Sequence, residues 1–143
     1  MSTTQVFSAE AQALFGSDAV AHVWTINEDG TSQVSVVWFI ARGDEILFGT
    51  DENSYKARNL RRDDRVVLSI EDVERNERGF QRHLVIRGRA TIESALDSTL
   101  LDELAFKYTG LRQHPLVLRD SPTSVVVRVA IDRISGEGPW LES

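Results

Sequence analysis

Between two runs rich in β-forming residues, 19–26 and 32–41, the sequence places Asn27-Glu28-Asp29-Gly30. An Asp-Gly step supplies the positive φ of a tight turn, so the two runs are expected to fold back on each other as a hairpin. Gly43-Asp44 marks the next turn and 45–50 a third strand, which predicts three antiparallel strands in meander order. Residues 65–71, 81–93 and 124–134 read as three more strands, with a polar loop over 72–79. Gly88, inside the fifth strand, predicts a bulge or a close backbone approach. Three helices complete the pattern: 6–15 capped by Ser8, 54–61 capped by Asn53 or Ser54, and one from Asp97 that stops at Thr109-Gly110. Hairpin-linked strands with peripheral helices predict a mainly β fold, a six-stranded antiparallel barrel formed as a single domain over 1–143.

Composition narrows the chemistry. The 143 residues include no cysteine, which excludes thiol catalysis, Cys-ligated zinc and iron–sulfur clusters. A net charge of -6 argues against a nucleic-acid partner, because neutralising phosphates takes clustered Lys and Arg. There is no apolar run of membrane-spanning length and no leader-like N-terminus, so no membrane partner is expected and the cytoplasm is the predicted location. His22, His83 and His114 lie far apart and fit no short-spaced metal pattern, and no G-x-S-x-G elbow is present. His22 is expected to fill a barrel position, and His114 a loop before Pro115.

Two segments carry chemistry. Residues 54–62 follow a strand directly and combine a hydroxyl, a lysine and the open amides of a helix start, which are phosphate-binding parts. The same residues also suit a solvated basic helix face docked through Leu60. Alternation along 32–41 puts Gln33, Ser35, Val37 and Phe39 on one face, opposite Val34, Val36, Trp38 and Ile40. A face that mixes polar and apolar groups suits a flat heteroaromatic ligand, or a surface shared between solvent and a helix or second subunit.

Taken together, Asn27-Glu-Asp-Gly30, Gln33-Val-Ser-Val-Val-Trp-Phe39, Glu45-Ile-Leu-Phe48, Lys56-Ala-Arg-Asn-Leu-Arg-Arg-Asp63, Arg65-Val-Val-Leu-Ser69, Ile86-Arg-Gly-Arg-Ala90 and Lys107-Tyr-Thr-Gly110 resemble the pyridoxamine 5′-phosphate oxidase-like family, of FMN-binding split β-barrel type. More narrowly they resemble its actinobacterial branch that binds the deazaflavin coenzyme F420. The resemblance runs from Val6 to Trp140. It implies a homodimer with each cofactor in a groove between two barrels and its phosphate at the strand-to-helix turn. Lys56 matches the phosphate-contacting lysine, Asn59 and Leu60 a helix-anchoring pair, and Gln33 and Ser35 positions near the ring or its side chain. With Val37, Gly49, Thr50, Ser54 and Tyr55 these form the implied cofactor-binding set.

Many relatives carry a second basic residue just before that lysine. Ser54 and Tyr55 stand there instead, which shifts phosphate binding toward hydroxyls and helix amides. Arg58, Arg61 and Arg62 suit the polyglutamyl tail of F420, and Gly138-Pro139-Trp140 resembles a segment that approaches the active site in relatives. The implied activity is hydride transfer from reduced F420 to an electron-poor small-molecule substrate, with no obligatory acid or base evident. An FMN-dependent oxidase or reductase of the same fold, and a non-catalytic F420 carrier, are the alternatives.

Overall fold

The computed structural model describes residues 7–93, 98–110 and 123–141. The chain runs α1 (Ala9–Gly16), β1 (Ala21–Ile26), β2 (Ser32–Val37), β3 (Ile40–Arg42), β4 (Glu45–Asp51), α2 (Tyr55–Arg62), β5 (Arg65–Arg75), β6 (Gln81–Glu93), α3 (Ser98–Thr109) and β7 (Ser124–Glu137). Val6, Asp97 and His114 lie outside the described residues.

Local chemistry accounts for most boundaries. Ser8 caps α1 by accepting the Ala11 amide at 3.1 Å. Gly30, at φ +87°, closes the β1–β2 turn by donating to the Asn27 carbonyl at 2.9 Å. Gly110, at φ +77°, ends α3 by donating to the Phe106 carbonyl at 3.0 Å. β5 runs on to Arg75, past the expected loop start, and β7 to Glu137.

All strands join one sheet in the order β2-β1-β5-β6-β7-β4-β3. The sheet has seven strands, not six, because the run 32–41 breaks at Trp38 and Phe39. Its first half pairs with β1 and its second with β4, so the expected meander is interrupted. Only those two residues separate the two edge strands, so the sheet rolls into a barrel that stays split along that seam. Val23, Leu68, Ile70, Leu84, Ile86, Val127 and Val129 fill the interior, closed by Phe39, Phe48 and the α1 residues Leu14 and Phe15.

The break is held by α3. Phe39 donates its amide to the Tyr108 hydroxyl at 3.3 Å, and its carbonyl accepts from Lys107 Nζ at 2.7 Å. The Tyr108 hydroxyl donates to the Ala19 carbonyl at 2.6 Å, while Trp38 stacks on its ring at 5.0 Å. These two side chains replace the ladder partners that an unbroken strand would supply.

Burial pushes the Lys107 ammonium down to about 8 and the Tyr108 phenol up to about 12. Below pH 8 both folded and unfolded chains carry the Lys107 charge, and its burial penalty is present in full. Between about 8 and 10.5 the folded chain sheds the proton first, so the unfolded chain binds more protons and stability rises with pH. From 10 to about 12 Tyr108 acts in the opposite direction, because the unfolded phenol ionises first. Thermal melts from pH 7.5 to 10 should therefore show a Lys107-dependent gain of about 1 kcal/mol, after discounting for the half-exposed amine. Lys107→Met should remove most of it; a variant that keeps the full slope would contradict this account.

Gly88 forms the bulge foreseen for it. The β6–β7 register jumps from Arg87↔Arg133 to Gly88↔Ile131, and a Cβ on Gly88 would lie 2.1 Å from the Ala130 carbonyl oxygen.

Candidate functional site

The start of α2 gathers polar groups at the end of β4. Thr50 Oγ1 lies 3.1 Å from Ser54 Oγ, which caps the helix by accepting the Ala57 amide at 3.2 Å. As the first two helical residues, Tyr55 and Lys56 have amides with no intrahelical acceptor. Lys56 is half-buried, has no hydrogen-bond or ion-pair partner among the described residues, and burial lowers its pKa. An anion at this turn would provide the missing counter-charge.

Asn59 holds the helix in place. Its amide donates to Thr25 Oγ1 at 3.1 Å and Asn27 Oδ1 at 2.9 Å, and its Oδ1 accepts from Arg62 at 3.0 Å. Arg62 also donates to the Ile26 carbonyl at 2.5 Å, and Arg61 to the Glu52 carbonyl at 2.8 Å. Of the three arginines suited to a tail, only Arg58 is without a partner among the described residues. Arg58 lines a hollow of about 350 Å³ with Gln33, Tyr55, Asn59 and Arg62.

Three further residues of the expected set lie apart from that hollow. Ser35 faces inward, and its hydroxyl is buried without a partner. Val37 is buried in the main core, and Gly49 sits within β4 opposite Val126. Trp140 does not extend outward: it is buried in the core and donates its indole N–H to the His83 carbonyl at 3.0 Å. His22 also departs from expectation. Along β1 the residues Ala21, Val23 and Thr25 point inward, which leaves His22 on the outer face beside Trp24.

That outer face holds the larger hollow, about 620 Å³, whose floor includes Trp24, Val67, Ser69 and Val85 and whose rim includes Arg65 and Arg87. Cross-strand register sets Val34, Trp24, Val67 and Arg87 in one row. Val34 and Val36 remain 45% and 57% exposed on the adjoining edge strand. Sequence reading by turn and helix motifs missed this groove. Its signal was present: β1, β5 and β6 carry apolar residues on both faces, as strands covered on both sides do.

The family model for pyridoxamine 5′-phosphate oxidase matches residues 7–137, nearly the whole chain. The chain belongs to the pyridoxamine 5′-phosphate oxidase family. Solved structures similar to this member include an F420 reductase, at 26% identity and a TM-score of 0.73, covering 87% of this chain and 94% of that one. The protein Rv2991 from Mycobacterium tuberculosis is similar at 25% identity and a TM-score of 0.75, covering 96% and 89%. General Stress Protein 26 from Bacillus anthracis shares the fold at 18% identity and a TM-score of 0.64, covering 87% and 88%. No curated protein sequence matches the chain significantly. Among the described residues of this family member, no helix is long and apolar enough to cross a membrane.

Proposed function

We propose that this chain is a cytoplasmic, F420-dependent reductase that acts as a homodimer. The partnerless, half-buried Lys56 at the capped start of α2 carries this reading. The residues present fit a phosphate-bearing flat cofactor. Lys56, the Thr50 and Ser54 hydroxyls and the open amides of Tyr55 and Lys56 suit the phosphate. Similarity to an F420 reductase at 26% identity supports the deazaflavin over FMN.

When bound, reduced F420 would supply a hydride from C5 to an electron-poor double bond or imine-like carbon. The chain's own part is to bind, orient and exclude water. Asn59, Arg61 and Arg62 fix α2 to β1 and to the chain after β4, so the phosphate turn is rigid before ligand arrives. A second copy packed on the outer face would cover Val34 and Val36 and wall the groove beside Trp24.

Paired fluorescence titrations of the purified protein with F420 and FMN at matched salt test the cofactor. Tight F420 binding with weak FMN binding is expected; preference for FMN would overturn the assignment. Turnover of reduced F420 with quinones, enones or tetrapyrroles then separates a reductase from a carrier.

A further inference from the structure

Two pairs of arginines stand directly opposite each other beside the groove. Arg65 faces Arg89 across β5 and β6, and Arg87 faces Arg133 across β6 and β7. Like charges at opposite ladder positions repel, with Cβ atoms about 5 Å apart. The first pair is neutralised: Asp63 accepts from Arg65 at 3.0 and 2.7 Å, and Arg89 has Asp64 at 3.0 Å and Asp132 at 3.7 Å. The second pair is not. Neither Arg87 nor Arg133 has an ion-pair or hydrogen-bond partner among the described residues.

The bulge explains the difference. Asp132 is the extra residue between Arg133 and Ile131, and it serves Arg89 rather than Arg87. Arg87 lines the groove and stands opposite Val67, which stands opposite Trp24. At about 4.8 Å per strand, roughly 10 Å separate the Trp24 backbone from that of Arg87. The row thus runs from an aromatic wall to two uncompensated guanidiniums.

We propose that Arg87 and Arg133 form the carboxylate-binding end of the groove, so that the substrate class is a planar, apolar molecule bearing a carboxylate. Planar guanidinium forks match a carboxylate's two oxygens, and the anion removes the repulsion between them. This names the substrate class of the groove and rests on the reductase reading above. The γ-glutamyl tail of F420 offers the same chemistry, and the test separates the two sources.

Wild type, Arg133→Gln and the hairpin-tip control Arg78→Gln would be titrated with anthracene-2-carboxylate and its methyl ester, read by quenching of tryptophan fluorescence. Wild type and Arg78→Gln should bind the acid at least about fivefold tighter than the ester, and Arg133→Gln should lose that preference. Ligand-free Arg133→Gln should melt about 1–3 °C higher, because the repulsion is gone. A merely structural arginine would lower the melting temperature instead, which overturns the proposal.

Equal binding of acid and ester by wild type, or no binding of the acid at millimolar concentration, also overturns it. So does loss of the dimer in Arg133→Gln with the acid preference intact, which would assign the doublet to a carboxylate of the second copy. If Arg133→Gln weakens F420 but not FMN, which carries a phosphate without the glutamyl tail, with the acid preference unaltered, the doublet reads the cofactor tail and the substrate proposal fails. Wild type that binds no F420 sinks the cofactor assignment alone, while the acid–ester comparison still decides the doublet.

Discussion

Gly88→Ala should destabilise the protein by about 3–5 kcal/mol, a large share of the roughly 5–15 kcal/mol of a typical domain. The added Cβ would lie 2.1 Å from the Ala130 carbonyl oxygen and 3.0 Å from Val129 Cγ1. The first contact is with backbone in the β6–β7 ladder, between Val129 and Ile131, so no side-chain rotation relieves it. Either the strands separate or the bulge moves. Both outcomes displace Arg87 and Asp132, which line the groove. Urea unfolding followed by circular dichroism measures the loss. Gly16→Ala is the matched control, because nothing lies within 4 Å of its Cβ position, and it should be neutral or slightly stabilising. A Gly88→Ala variant with the wild-type midpoint would mean that the bulge is soft and does not fix the groove's edge.

Lys56→Ala should weaken F420 binding by about 1.5–3 kcal/mol, roughly 10- to 150-fold, the range of one charge-assisted phosphate contact. FMN affinity should fall by at least a similar factor, since its phosphate monoester carries more negative charge than the diester of F420. Binding of the phosphate-free deazaflavin riboside should be unchanged. Stability provides a second, opposite readout. Lys56 carries a half-buried charge without a partner among the described residues, so Lys56→Met should leave the ligand-free melting temperature unchanged or higher. Lower stability together with weaker binding would make Lys56 a structural residue; undiminished affinity in a folded variant would remove it from the phosphate site.

The phosphate turn and its anchors differ in how far apart their residues lie in the chain. Lys56, its Ser54 cap and Thr50 sit within seven residues, and Gly88 reports its own strand; both are visible in the sequence. Asn59 was expected to anchor α2, and it does, yet its partners Thr25 and Asn27 lie more than 30 residues upstream and no local pattern names them. The tail arginines illustrate the opposite case. A basic run reads as a free anionic-ligand track, but the fold engages Arg61 and Arg62 with backbone carbonyls at 2.8 and 2.5 Å.

Turn, cap and period signals act over a dozen residues or fewer, because they arise from φ preferences and from backbone groups seeking partners nearby. The Asp29-Gly30 hairpin, the Ser8 and Ser54 caps, the Gly110 stop and the Gly88 bulge are of this kind, and with the alternating strands they made a mainly β barrel legible. The break at Trp38 and Phe39 was not legible, because those residues continue an apolar run that satisfies every local rule for a strand. It exists because Lys107 and Tyr108, 68 and 69 residues away, take the Phe39 carbonyl and amide. The outer groove is likewise a product of register. Trp24, Val67, Arg87 and Arg133 form one row only once β1, β5, β6 and β7 are aligned. Hydrogen bonding between strands sets that alignment, and no stretch of sequence carries it alone.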